Sequence, residues 1–329
     1  MEKKQDNLME ISDLTVRYNT DDAVVHAVNN FNLKLVRGEA RGLVGETGAG
    51  KTTLALSILR LLPERVGEVT GGSIVYDGQE LLKLPEAEML PLRGKRISMI
   101  FQDPMTSLNP TQTVGDQILE VLNLHFPEMT RDEKNKRVDE MMTLVGIPPQ
   151  RKKSFPHEFS GGMKQRVVIA MALVAEPELL LADEPTTALD VTIQAQILEL
   201  MKQLREKFNT SVMLITHDLG VVAQFCDSVS VVYAGRVVEY GPVEIVFQRK
   251  ENHPYTAGLF NCIPNLHDDQ PRLHPIAGHM ADPRVEYKGC CFADRCEYAT
   301  ERCRTEAPSM HVSGEHGILC HRYDGKEEF

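Results

Sequence analysis

Apolar and polar positions fall into distinct blocks along this chain, and the clearest block spans residues 41 to 56, RGLVGETGAGKTTLAL. A short apolar run closing at Val44 predicts a strand, the glycine-rich stretch behind it predicts a turn, and apolar residues at helical spacing from Lys51 predict a helix. Farther along, the unbroken apolar run Leu179 to Ala182 in PELLLADEPTTALD predicts a strand buried on both faces, as in a parallel sheet. From Gly241 both periodicities fade. ENHPYTAGLF reads as a short helix, and CIPNL with the His/Pro-rich HDDQPRLHPIAGHM, ending at residue 280, reads as an extended linker. No stretch approaches the roughly 18 consecutive apolar residues that a spanning helix needs. The opening MEKKQDN leads into no apolar signal segment.

The first turn matches the phosphate-binding pattern G-x-x-x-x-G-K-[ST], from Gly45 through Thr47, Gly48 and Gly50 to Lys51, Thr52 and Thr53. Glycines there let backbone N–H groups turn inward around phosphate oxygens, and the helix N-terminus adds partial positive charge. Lys51 would reach the β- and γ-phosphates, and the Thr52 hydroxyl would hold Mg²⁺. The strand before and helix after separate this loop from a chance glycine turn, so ATP or GTP binding is expected. The second strand delivers two adjacent carboxylates at its C-terminal edge. Asp183 suits the Mg²⁺ shell, and Glu184 suits polarising an attacking water.

FSGGMKQR, Phe159 to Arg166, resembles the signature of the ATP-binding cassette (ABC) ATPases, and the resemblance extends over the whole chain. Tyr18 is similar to the aromatic that stacks on adenine, and Gln102 in IFQDP to the glutamine that links Mg²⁺ to the transporter interface. Asp190 in TTALD and His217 in LITHDL complete the set. The resemblance implies a catalytic trio of Lys51, Glu184 and His217, with Mg²⁺ held through Thr52, Gln102 and Asp183. It also implies that Ser160, Gly161, Gly162, Gln165 and Asp190 contact nucleotide. Ser160-Gly161-Gly162 is by its own chemistry a second anion site at a helix start, and one nucleotide cannot use two such sites on one surface. The family's resolution is a head-to-tail dimer with a second ABC ATPase, a copy or a paralogue, in which each ATP is sandwiched between one subunit's phosphate loop and the other's signature.

The implied fold is α/β: a P-loop ABC ATPase with an antiparallel β subdomain from the N-terminal strands and a helical subdomain over about 103–175. A nucleotide-binding domain over 1–245 and a cysteine-rich extension over 246–329 are expected. With 329 residues, 42% of them hydrophobic, the chain can bury a sizeable core without disulfide staples. A net charge of -11 argues against a nucleic-acid partner. A soluble ABC ATPase with no permease is the alternative class, but such proteins usually carry two cassettes or a long coiled coil. Here each motif occurs once, without repeat or heptads. IFQDPMTSLNPTQTVGDQI, Ile100 to Ile118, resembles the corresponding segment of peptide and nickel importer ATPases. Pro104 and Pro110 bracket a predicted surface loop where Met105 and Leu108 could meet a membrane subunit. HPYTAGLF resembles the start of the C-terminal extension of oligopeptide and dipeptide permease ATPases. The implied function is ATP-driven import of peptides or a related solute, with nickel as the alternative cargo. The implied setting is the cytoplasmic face of the cell membrane, peripherally bound, with two permease subunits and an extracytoplasmic solute-binding protein.

Cysteines are concentrated near the end of the chain. Cys290, Cys296, Cys303 and Cys320 fall as C-x5-C-x6-C-x16-C, while Cys226 and Cys262 lie in apolar stretches and read as core. Spacing alone offers four thiolates to a soft metal. Zinc ribbons favour pairs with about 2 to 4 residues between ligands, a spacing absent here, although His311, His316 or His321 could help hold zinc. The resemblance, with Gly289, Phe292, Arg295 and Ala299 in register, selects these four cysteines over Cys291 and implies a [4Fe–4S] cluster.

Overall fold

The computed structural model describes residues 6–187, 189–248, 250–262 and 275–326, with Pro104 and Met105 as backbone alone. Its strands are β1 (Asn7–Asn19), β2 (Val24–Val36), β3 (Ala40–Val44), β4 (Gly67–Tyr76), β5 (Gln79–Glu80), β6 (Ile97–Ile100), β7 (Leu179–Asp183), β8 (Ser211–Thr216), β9 (Ser228–Tyr233), β10 (Arg236–Pro242), β11 (Met310–Ser313) and β12 (His316–Leu319). Its α-helices are α1 (Lys51–Ile58), α2 (Glu86–Met89), α3 (Pro104–Ser107), α4 (Val114–His125), α5 (Arg131–Leu144), α6 (Gly161–Leu173), α7 (Val191–Phe208), α8 (Leu219–Phe225), α9 (Val243–Val246), α10 (Pro254–Asn261) and α11 (Glu301–Thr305). Contacts divide the chain into two compact units: one of residues 36–40 and 83–215 with Asp6, the other of residues 7–35, 41–82 and 216–329.

In the first unit, β6, β7 and β8 pair in parallel, with Ile97 opposite Leu179 and Leu179 opposite Ser211. Every residue of β7 and β8 is buried, which is why β7 reads as an unbroken apolar run rather than an alternating one. Helices α3 to α6 occupy Pro104–Leu173, the span expected to be helical, and belong to the same unit as these strands. Helix α5 begins with a reciprocal cap: Thr130 accepts from the Glu133 N–H, and Glu133 accepts from the Thr130 N–H.

In the second unit, the N-terminal strands make a sheet in the order β2-β1-β4-β5, and β1 runs antiparallel to β4. Leu14 and Val16 are buried while the intervening Thr15 and following Arg17 are partly exposed, the alternation of a sheet covered on one face. A separate set of strands starts from β3, which pairs in parallel with β9, and continues through antiparallel β10, β12 and β11. The C-terminal residues therefore add strands to the cassette's own β10, a pairing that the fading periodicity after Gly241 does not reveal. The predicted short helix is α10, with the His253 side chain accepting from the Tyr255 N–H as its cap. The linker expected up to residue 280 falls largely outside the described residues, as does the opening of the chain before Asp6.

Candidate nucleotide site and cysteine cavity

The glycine loop joins β3 to α1 within the second unit. Gly48 and Gly50 have φ of 83° and 95°, a left-handed backbone that side chains rarely adopt. At Gly45 a Cβ would sit 2.2 Å from the Val232 carbonyl oxygen, so the loop start has no room for one. Lys51 is 6% exposed, and its ammonium donates to the Gly45 and Glu46 carbonyls at 2.7 and 3.0 Å. The cation expected to hold phosphate thus rests on the loop's own backbone, and in that role it would exchange these acceptors for phosphate oxygens. The Tyr18 hydroxyl donates to Thr53 Oγ1 at 3.2 Å, which brings the expected adenine partner to helix α1. His217 is exposed, just before the cap Asp218 that accepts from the Gly220 and Val221 N–H groups.

In the first unit, β7 ends in Asp183, which is 2% exposed. Glu184 follows with φ of 47°, a left-handed conformation fixed by its N–H donating to the Ile215 carbonyl at 2.8 Å. Gln102 donates to Glu184 Oε2 at 3.3 Å, and the Thr187 hydroxyl donates to the same oxygen at 2.8 Å. The structure thus joins Gln102 directly to Glu184. Asp190 caps α7 by accepting from the Ile193 N–H at 3.0 Å. Ser160 stands exposed at the start of α6 with no capping bond from its side chain. Gly161 is exposed as well, and a Cβ there would touch nothing closer than 3.8 Å. Gly162 differs: a Cβ would lie 2.6 Å from Ile193 Cγ2, so packing against α7 demands the glycine.

Two sequence expectations need correction here. Gln165, assigned to nucleotide, is a core residue of α6 at 0% exposure, with neither amide atom hydrogen-bonded. Leu108, assigned to the docking loop, is 4% exposed and buried. The loop around it is wrapped on Gln117, whose amide accepts from the Asn109 N–H and donates to the Asn109 and Gln112 carbonyls. The Met105 side chain lies outside the described residues, and the exposed apolar group beside this segment is Phe101.

In the second unit, Cys290, Cys296, Cys303 and Cys320 line a single cavity of about 210 Å³ together with Phe292, His321 and Arg322. Cys291 is absent from its wall, and its Sγ lies 3.9 Å from the Tyr233 carbonyl. Burial, with Cys291, Cys320 and Cys303 nearby, pushes the Cys290 thiol up to about 12. Gly289 admits the close pass of two chain segments, since a Cβ there would sit 2.3 Å from the Cys303 carbonyl, which accepts the Cys290 N–H. Among the described residues no three His, Cys, Asp or Glu side chains converge as a single metal ion requires. His316, considered as a zinc helper, is bound instead to the fully buried Glu239 at 2.8 Å. Glu239 also accepts from Asn252 at 2.7 Å and from the His253 N–H at 2.8 Å. His311 lies 2.6 Å from Asp324.

Sequence reasoning did not find a further feature of the glycine loop. Arg295, beside Cys296, donates to both carboxylate oxygens of Glu46, at 2.7 and 3.2 Å, and Glu46 is the second residue of the loop. The Tyr255 hydroxyl of α10 accepts from the Glu46 N–H at 3.0 Å.

The chain is similar to known proteins over nearly its whole length. Residues 28–187 match the ABC transporter family, and residues 238–303 match the oligopeptide/dipeptide transporter C-terminal region. The oligopeptide transport ATP-binding protein OppD of Haemophilus influenzae is 47% identical over 98% of each chain. The dipeptide transport ATP-binding protein DppD of Bacillus subtilis is 46% identical over 98% of this chain and 97% of the relative. Among solved structures, the dimeric post-hydrolysis ATP-binding cassette MJ0796 with ADP and Pi is 28% identical, with a TM-score of 0.64 over 71% of this chain and 98% of that one. The cassette cbiO1 of Clostridium perfringens is 31% identical, with a TM-score of 0.65 over 75% of this chain and 93% of that one. With relatives this similar from end to end, the chain belongs to the ABC ATPases of the oligopeptide/dipeptide transporter family.

Proposed function

We propose that this chain binds Mg²⁺-ATP and hydrolyses it to drive peptide import through membrane permease subunits, peripherally attached at the cytoplasmic face. The observation that carries this reading is the end-to-end correspondence with peptide-transport ATPases, which includes the C-terminal region as well as the cassette. Among the described residues no helix is long and apolar enough to cross a membrane. In this reading Lys51 holds the β- and γ-phosphates, Thr52, Gln102 and Asp183 serve Mg²⁺, Glu184 polarises water, and His217 faces the γ-phosphate. Tyr18 stacks on adenine. The exposed Ser160-Gly161 start of α6 serves the nucleotide of a second ABC ATPase in a head-to-tail dimer, and Phe101 belongs to the face that docks on the permease. The test is peptide uptake by cells or vesicles carrying the permease and a solute-binding protein. Uptake that requires this chain and fails with Lys51→Ala is expected; uptake indifferent to Lys51→Ala would overturn the reading.

We further infer that Cys290, Cys296, Cys303 and Cys320 hold a [4Fe–4S] cluster. Four thiols around one cavity suit a bulky cluster, and Arg322 in the wall suits the negative charge of a four-thiolate site. The cluster would supply iron–thiolate bonds that cross-link the extension, much as structural metal sites do. Protein purified without oxygen should contain about four iron and about four sulfide per chain. Serine at any one of the four should abolish this, and Cys291→Ser should not. Colourless protein with stoichiometric zinc after anaerobic growth in ample iron would refute the cluster.

A further inference from the structure

A carboxylate in a phosphate-binding loop is electrostatically awkward, because it repels the polyanion that the loop must hold. Glu46 is such a carboxylate, and its charge is answered from far along the chain. Arg295 grips both of its oxygens, at 2.7 and 3.2 Å, with the arginine side chain 5% exposed and the glutamate side chain 27% exposed. Two parallel bonds from a planar guanidinium fix direction as well as distance. The guanidinium is itself held, since its Nε donates to the Ala277 carbonyl at 3.1 Å and Nη2 approaches the Ile276 carbonyl at 3.4 Å. The Phe292 and Tyr233 rings lie at 5.9 and 5.8 Å. The backbone of Glu46 is held too: its N–H donates to the Tyr255 hydroxyl, and its carbonyl accepts the Lys51 ammonium. The residue that cradles the resting Lys51 is thus clamped by its side chain and its amide, both from the C-terminal extension.

We propose that Arg295 is a positioning residue for the ATPase reaction, neutralising Glu46 and holding the glycine loop in its phosphate-ready shape, so that nucleotide affinity depends on the extension. Without Arg295, Glu46 would face the incoming phosphates as a free anion, and part of the binding free energy would go into reordering the loop. The effect falls on binding more than on chemistry, because Glu46 belongs to the phosphate-binding loop and Arg295 acts only through it.

The experiment uses the full chain and measures ATP Kd alongside KM and kcat. Arg295→Met should raise both Kd and KM for ATP about tenfold and change kcat by about twofold or less. Arg295→Lys, which keeps the charge but loses the fork, should fall between this variant and the parent. Because the un-neutralised Glu46 is what repels the phosphates, adding Glu46→Gln to Arg295→Met should bring Kd part of the way back toward the parent, so the cycle is non-additive. An unchanged Kd in folded Arg295→Met, additive effects, or a fall in kcat at constant KM would overturn the proposal. Should Arg295→Met fail to fold, Arg295→Lys and Glu46→Gln decide the matter, since an unchanged Kd in both excludes the clamp. A parent chain that bound no ATP would instead contradict the ATPase assignment itself.

Discussion

Two glycine-rich helix starts in this chain look alike in sequence and differ in state. At Gly45 to Thr52 the loop is closed on itself: Lys51 is buried, its ammonium is satisfied by Gly45 and Glu46, and Glu46 is clamped in turn. At Ser160 to Gly162 the helix start is open, with Ser160 exposed and uncapped and Gly161 free of close neighbours. Both offer backbone N–H groups to an anion. The first has an internal stand-in for the phosphate of the proposed function, whereas the second stands exposed, as the proposed dimer with a second ABC ATPase requires.

The largest expected effect tests which groups belong to chemistry rather than to either anion site. Glu184→Gln should lower turnover by about a thousandfold while ATP binding persists, measured as kcat beside Kd. Undiminished turnover would remove Glu184 from its role and leave the first site a binding site alone. The open site comes next. Ser160→Arg should lower turnover by about a hundredfold in the assembled transporter yet leave the isolated chain's ATP Kd unchanged, because in the proposed head-to-tail dimer the serine serves the other subunit's nucleotide. A matching loss of Kd in the isolated chain would erase the contrast between the two sites.

Within the open site, the two glycines should separate. Gly162→Ala forces a Cβ to 2.6 Å from Ile193 Cγ2 and should cost about 1–3 kcal/mol in chemical denaturation. Ile193→Ala should relieve most of that cost. Gly161→Ala should cost far less, since it has room.

How much of this was legible follows from how locally each feature is encoded. The glycine loop and the strand Leu179 to Ala182 are written in contiguous residues whose neighbours along the chain are also their neighbours in space. The pairing of Arg295 with Glu46 spans 249 positions and has no local mark, so a sequence pattern could only note Arg295 as part of a cysteine motif. Leu108 was misread because Pro, Asn and Thr around it signal a surface turn. The turn is real, but Gln117 satisfies its backbone and draws the leucine inward. Gln165 failed for a related reason. A glutamine at helical spacing tells nothing of which face is buried, and α6 is buried over most of its surface.

The smallest effect concerns acid stability. Burial pushes His253 down to about 3, so the folded protein keeps this ring neutral while the unfolded chain, with an ordinary histidine, takes a proton near 6.5. Because the folded value is the lower one, its contribution is fully present above about pH 6.5 and is lost as pH falls toward about 3, at no more than about 1.4 kcal/mol per pH unit. His253→Asn, which can still cap α10, should flatten the fall in denaturation midpoint across this window. An unchanged slope would show that other groups carry the acid response.

The pairing of β12 with β10 changes what the C-terminal region means for the cassette. With β12 in place, β10 is an interior strand; without it, β10 becomes a bare edge, ready to pair with another chain. Glu239, opposite Ile318 in that pairing, would lose His316 with β12, and loss of the whole extension would also take Asn252 and His253 and leave a fully buried carboxyl without these three partners. The match to the C-terminal family begins at residue 238, inside β10 itself, so the inherited module and the strand share the same residues. Such a tail cannot be traded between cassettes as an interchangeable appendage: any exchange must carry the receiving strand along with it.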